Sequence, residues 1–204
     1  MKPLVEEVDA LVARVGTHPV WGYGHCVRLH ALAEELARAE RISYDAEILR
    51  VAALLHDVGL YKVYARREPA DHAKRSAAVA QRILNDADFP PQATRAAIEA
   101  IEAHPPGAPP GAPPGAGAEA TLLKDAVALD YLGVIGLSRV LAMVGTEDDV
   151  ADVRAAVWHA ESLRRQIPAL LILETSKDIA HRRVQETDQF MEDLRDATAG
   201  LKLL

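Results

Sequence analysis

The sequence predicts an all-α protein folded as a single domain, and three observations lead there. Half of the 204 residues are apolar, enough to bury one sizeable core, and the length lies within the ordinary range of one domain. That apolar content is Ala, Leu, Val and Ile with only 4 % aromatics, which suits helix-on-helix packing better than sheets. Apolar residues recur at helical spacing along most of the chain, and no strand-like alternation of any length interrupts them.

In order, Leu4, Val5, Val8, Leu11, Val12 and Val15 mark a first helix that Gly16 ends. A loop with His18, Pro19, Gly22 and Gly24 precedes a second helix, from near His25 to about Ala39. Asp45 opens a third, through Ile48, Leu49, Val51, Ala52, Leu54 and Leu55, which closes at His56-Asp57-Val58-Gly59 with glycine just past the end. A loop rich in Tyr, Lys and Arg leads to a fourth, from about Asp71 to Asn85, and Pro90-Pro91 announce a fifth that reaches His104. Residues 105–117 repeat Pro-Pro-Gly-Ala, which neither continues a helix nor pairs as a central strand, so an exposed, mobile loop is expected. Helices resume near Glu119 and again near Glu147. The very apolar stretch Ala126–Val144, carrying Asp130 and Arg139, reads as a buried helix, and Pro168 breaks the pattern before a final amphipathic run from about Ser176 to Ala197.

Composition bounds the function. With 23 basic and 30 acidic residues, a net charge of −7 and no basic stripe, a nucleic-acid polymer is not an expected partner. A small anionic ligand remains compatible, because a metal or a few local cations can hold it inside an acidic protein. The single cysteine, Cys26, fits a reducing compartment. Neither a leader nor an uninterrupted apolar span of membrane length is read, so the expected location is the cytoplasm, with no membrane partner.

Four of the eight histidines fall at helix ends: His25 begins one, His56 closes one beside Asp57, His72 begins one and His104 closes one. Helix ends can bring side chains from separate segments to a common point. Asp125 adds a carboxylate on an otherwise apolar helix, where an ionised group needs a partner, and a metal would serve.

The motif text is Gly24-His25-Cys26-Val27-Arg28-Leu29, then Val51-Ala52-Ala53-Leu54-Leu55-His56-Asp57-Val58-Gly59, then Asp71-His72-Ala73-Lys74-Arg75-Ser76-Ala77, then Ala100-Ile101-Glu102-Ala103-His104 and Lys124-Asp125-Ala126. In this order it resembles the HD-domain superfamily of metal-dependent phosphohydrolases. The run from Leu129 to Arg139 and the closing helix at Phe190-Met191-Glu192-Asp193-Leu194 look like its stand-alone bacterial branch, so the resemblance covers about residues 20–198. It implies an HD-type helical bundle, with a metal-binding core over about 20–145 and C-terminal helices over about 146–198 packed on it. The implied metal ligands are His25, His56, Asp57 and Asp125. His72 and His104 stand where two-metal members complete a second site; in one-metal members the matching residues contact phosphate or are absent. With a single ion either histidine could donate a proton to the leaving oxygen or a hydrogen bond to the phosphate, and helix capping or surface placement is the competing reading. The expected catalytic group is thus His56, Asp57, His72 and His104. The resemblance departs at Leu60, where many members carry lysine, and at Val127, where the branch often carries a second acid.

Imidazoles with carboxylates suit Mn, Fe, Co, Ni or Zn, one ion or two, better than Mg. His56 and Asp57 lie about 100° apart around a helix, so both reach one ion only if the helix end lies beside it. Four protein ligands leave open positions for water, whose pKa a metal lowers from about 15.7 toward about 7, and the ion also neutralises charge on a phosphoryl oxygen. Lys62, Arg66 and Lys74, with Arg67 and Arg75 beside them, are candidate substrate-phosphate contacts, each more often a solvated surface charge. His18, His30, His159 and His181 match no motif, and Cys26 reads as a packed small residue rather than a nucleophile. The Pro/Gly segment reads as a surface insertion, or as a lid over the substrate.

The leading expectation is hydrolysis of a phosphate ester or anhydride of a nucleotide or small metabolite. The alternative is a di-iron oxygenase of the same fold acting on a small phosphorylated or phosphonate-like substrate. A module that binds metal without turnover ranks third.

Overall fold

The computed structural model describes residues 4–64, 71–107, 117–148, 150–202 and 204. Among them nine α-helices and two short 3-10 turns occur, and no strand. The helices are α1 (Leu4–Val15), α2 (Tyr23–Glu40), α3 (Ala46–Leu55), α4 (His72–Asp86), α5 (Pro91–Ala103), α6 (Ala118–Leu129), α7 (Gly133–Ala142), α8 (Val153–Gln166) and α9 (Glu174–Ala197). The all-α expectation holds. Most of the 105–117 segment, together with Arg66 and Arg67, lies outside the described residues. No helix among the described residues is long and apolar enough to cross a membrane.

The chain divides into two compact units, Met1–Val127 and Ala128–Leu204. In the first, α3 is the central element, in contact with α1, α2, α4 and α5. Its Leu49, Val51, Ala52, Ala53, Leu54 and Leu55 are all fully buried, so from Val51 to Leu55 apolar residues occupy every side of the helix. Asp45 caps its start by accepting the backbone N–H groups of Glu47 and Ile48 at 2.9 and 3.1 Å. Asp71 does the same for α4 through Ala73 and Lys74. Asp9 ties α1 to its neighbours by accepting from the Tyr23 hydroxyl at 2.6 Å and pairing with Arg50.

In the second unit α7 lies against α8 and α9. Two expectations fail here. The apolar run from Ala126 to Val144 is two helices, not one: α6 stops at Leu129, and α7 starts at Gly133 with φ +68°. A Cβ on Gly136 would stand 2.2 Å from the carbonyl of Tyr131, so the chain can fold back this closely only past a glycine. Inside this turn Arg139 pairs with Asp130 at 3.2 Å and lies 4.3 Å over the Tyr131 ring, while Arg183 donates to the last carbonyl of α6 at 2.6 Å. The helix expected near Glu147 begins at Val153, because Asp152, not Glu147, supplies the cap by accepting from Ala155 at 2.8 Å.

Candidate metal centre

His56 and His104 are placed by the same device. Each is the residue that closes its helix, still in helical conformation, and each directs ring Nδ1 to the carbonyl three residues earlier: Ala53 at 2.9 Å and Ile101 at 2.6 Å. The Nδ1 proton is therefore committed to the backbone and Nε2 faces the site, as in metal-binding histidines whose far nitrogen is held. Asp57 then leaves the helix at φ −110° and ψ 10°, which is how adjacent residues reach one point despite their angular separation.

The next residues explain why the turn can be so tight. Gly59 was expected as a stop signal, yet its φ is not positive. Its function is close approach: a Cβ there would stand 2.7 Å from the Ser76 nitrogen and 2.8 Å from the Arg75 carbonyl carbon, while its N–H donates to Ser76 Oγ at 3.1 Å. Helix α4 is thereby pressed against the doublet turn with His72 in its first position. His25 is set by Gly22, where a Cβ would lie 2.3 Å from the His18 oxygen, so the loop can wind directly into the first turn of α2.

Among the described residues two groups of donor atoms result, each within 4.8 Å: His25, His56 and Asp57, and Asp57, His72 and His104. In the first, Nε2 of His56 lies 3.3 Å from Nε2 of His25 and 3.1 Å from Asp57 Oδ2, with His25 to Oδ2 at 3.9 Å. In the second, Nε2 of His72 and His104 are 3.2 Å apart, and they stand 4.0 and 3.7 Å from Asp57 Oδ1. Ligands on one ion with bonds of about 2.1 Å stand about 3.0 Å apart when adjacent and about 4.2 Å when opposite, so both groups suit a single divalent ion each. The donor chemistry fits as well.

All of these groups are buried except His72, whose side chain is 39 % exposed. Burial alone would depress His56, but the Asp57 charge and hydrogen bond outweigh it and raise its pKa to about 10. Burial pushes Asp57 up, and His56, then His104 and His25, more than reverse this, leaving it well below the usual carboxylate range. His104 is depressed to about 3, first by burial and then by the His56 charge. Thus the first triad holds a positive charge against Asp57, while His104 offers a neutral nitrogen.

Asp125 is fully buried on α6 and belongs to neither triad. Cys26 is fully buried, its sulfur 3.6 Å from the Leu54 carbonyl and 3.4 Å from the Tyr61 hydroxyl, as a packed small residue. Lys62 and Lys74 are exposed, and Arg66 lies outside the described residues. Asp130 is taken up by Arg139. Sequence reading passed over His18, whose ring stacks on Trp21 with centroids 3.9 Å apart and planes 6° from parallel. The Trp21 indole three positions on was the available signal.

Fold and site together define an all-helical protein with a buried histidine–carboxylate centre built from helix ends. Residues 22–133, more than half of the chain, match the family model of the HD domain, and the chain belongs to that family. A crystal structure from Lactobacillus plantarum is similar over 98 % of each chain, at 21 % identity and a TM-score of 0.75. An HD-superfamily hydrolase from Bacillus thuringiensis is similar over 96 % of this chain and 97 % of its own, at 22 % identity and a TM-score of 0.65. YpgQ of Bacillus subtilis in complex with ADP is similar over 97 % of this chain and 100 % of its own, at 19 % identity and a TM-score of 0.71. At these identities the likeness is one of fold. No curated protein matches the chain.

Proposed function

We propose that the protein is a metal-dependent phosphohydrolase that cleaves a phosphate ester or anhydride of a nucleotide or small metabolite with water. The observation that carries the reading is the pair of triads sharing Asp57, one oxygen facing His25 and His56 and the other facing His72 and His104. The proposed ligands of the first ion are His25, His56, Asp57 and Asp125, the last from the resemblance of Lys124-Asp125-Ala126 to the family's motif. His72 and His104 complete the second site. Mn, Fe, Co, Ni and Zn all suit this donor set.

A bound divalent ion supplies Lewis acidity, acidifying water and neutralising phosphoryl charge. The chain's own contribution is orientation: the Ala53 and Ile101 carbonyls fix the two buried imidazoles, and the Asp57 turn brings both oxygens into use. His104, with its proton on Nδ1 and its pKa near 3, suits the role of ligand rather than proton donor. Lys62 and Lys74 are proposed cations for the substrate's phosphate. A nucleotide as substrate is supported by YpgQ, a protein of the same fold solved with ADP.

The test is a screen of nucleotides and phosphorylated metabolites with each divalent ion, reading phosphate and pyrophosphate. Mn- or Co-stimulated release under argon, abolished in His56→Ala with the helical fold kept, is expected. The shared carboxylate also favours a second reading, a di-iron oxygenase. Two irons per chain, oxygen-dependent turnover and no phosphate release would replace the hydrolase with it.

A further inference from the structure

The loop before His25 and the turn after the doublet meet. A Cβ on Gly16 would lie 3.0 Å from the Tyr61 hydroxyl, so the two segments touch. The loop is closed on itself by Gly22 donating to the His18 carbonyl at 2.9 Å and Tyr23 donating to the Gly16 carbonyl at 2.7 Å. Within it the parallel stack on Trp21 holds the His18 ring flat. The Val20 N–H donates to His18 Nδ1 at 3.2 Å, which makes Nδ1 the acceptor and puts the proton of the neutral ring on Nε2. Burial and then the Lys62 cation hold His18 below its ordinary value of 6.5 while Asp57 pulls it upward, so both charges act on this ring. His18 is therefore a fixed N–H donor on a loop that packs against the turn carrying Tyr61 and, next to it, the exposed Lys62.

We propose that His18 and Lys62 form an anion subsite beside the metal centre, in which His18 Nε2–H donates a hydrogen bond to a phosphoryl oxygen and Lys62 supplies the charge. The inference rests on the phosphohydrolase reading and names groups that would hold its substrate. A neutral imidazole donates a hydrogen bond without giving up its proton, so His18 binds phosphate and does not protonate a leaving group. The division of labour is a rigid directional donor with a flexible, hydrated point charge.

The test uses the full chain loaded with Mn and carrying Trp158→Phe, which leaves Trp21 as the single indole. Inorganic phosphate is titrated by calorimetry and by Trp21 emission. Saturable binding with an emission change is expected, with affinity about tenfold weaker in His18→Ala, the scale of one hydrogen bond to a charged group. His18→Gln, which keeps a donor, should recover most of the loss, and Lys62→Ala should weaken binding similarly, with Mn content unchanged in all three. A merely structural role for His18 predicts that Gln fails to rescue and that the melting temperature falls instead. Phosphate binding unchanged in both His18→Ala and Lys62→Ala overturns the subsite alone. No phosphate binding to the Mn-loaded parent removes the phosphohydrolase reading and the subsite with it.

Discussion

The carboxylate of Asp57 faces His104 with one oxygen, at 3.7 Å, and His56 with the other, at 3.1 Å. A single side chain therefore joins two donor groups drawn from four segments of the chain. Its substitution should cost more than that of any one histidine. Asp57→Asn is expected to lose all bound metal and at least about 1,000-fold in turnover, a barrier increase of about 4 kcal/mol. His72→Ala should lose one ion and keep the other. Metal analysis after gel filtration, beside circular dichroism to establish the helical fold, checks both.

Proton release should accompany metal binding. His56 is raised to about 10 in the metal-free site, so it holds a proton at pH 7 that must leave before Nε2 can bind an ion. The sign follows: affinity rises with pH until about 10, and about one proton per ion appears below it. Calorimetry in buffers of different ionisation enthalpy at pH 7.5 measures this, and a release near zero would show His56 to be unprotonated beforehand.

Gly59→Ala tests the close approach of α4. The added methyl would stand 2.7 and 2.8 Å from backbone atoms of Ser76 and Arg75, which cannot swing aside. A loss of about 1–3 kcal/mol is expected from such overpacking, read as a lower urea midpoint at unchanged slope. Metal affinity should fall as well, since His72 rides on the displaced helix.

The Asp9 anchor should give α1 an acid-sensitive attachment. Burial, the largest single influence, raises this carboxyl, but the Tyr23 and Arg50 hydrogen bonds and the Arg50 charge together outweigh it and its pKa is lowered from 3.8. A depressed acid stabilises above its unfolded value and loses that contribution as pH falls through the folded one. Asp9→Asn should therefore cost about 0.5–1 kcal/mol at pH 7, modest because the pair is partly solvated, with the difference from wild type shrinking as the pH falls below 3.8. Urea melts of both proteins at the two pH values decide it.

Much of this was legible because it is local. The spacing of Leu49, Val51, Leu54 and Leu55 marks α3 as a buried helix, and the order of His25, His56-Asp57, His72 and His104 marks the ends that meet. The break between α6 and α7 was hidden, since Gly133 and Gly136, which allow it, lie inside an otherwise apolar run and the turn is held by Arg139 and Arg183. Gly59 reads locally as a helix stop, whereas the backbone that requires a glycine there, at Arg75 and Ser76, is far away in sequence. His18 matches no motif; Trp21 three positions on is the one local sign, and whether the two rings stack depends on how the loop folds.

The most direct measurement is anomalous diffraction at the manganese edge from Mn-loaded crystals. The account predicts one peak within coordinating distance of His25, His56, Asp57 Oδ2 and Asp125, and a second beside Asp57 Oδ1, His72 and His104. An ion bound away from Asp57, or one that leaves the His56 imidazole unligated, would contradict it.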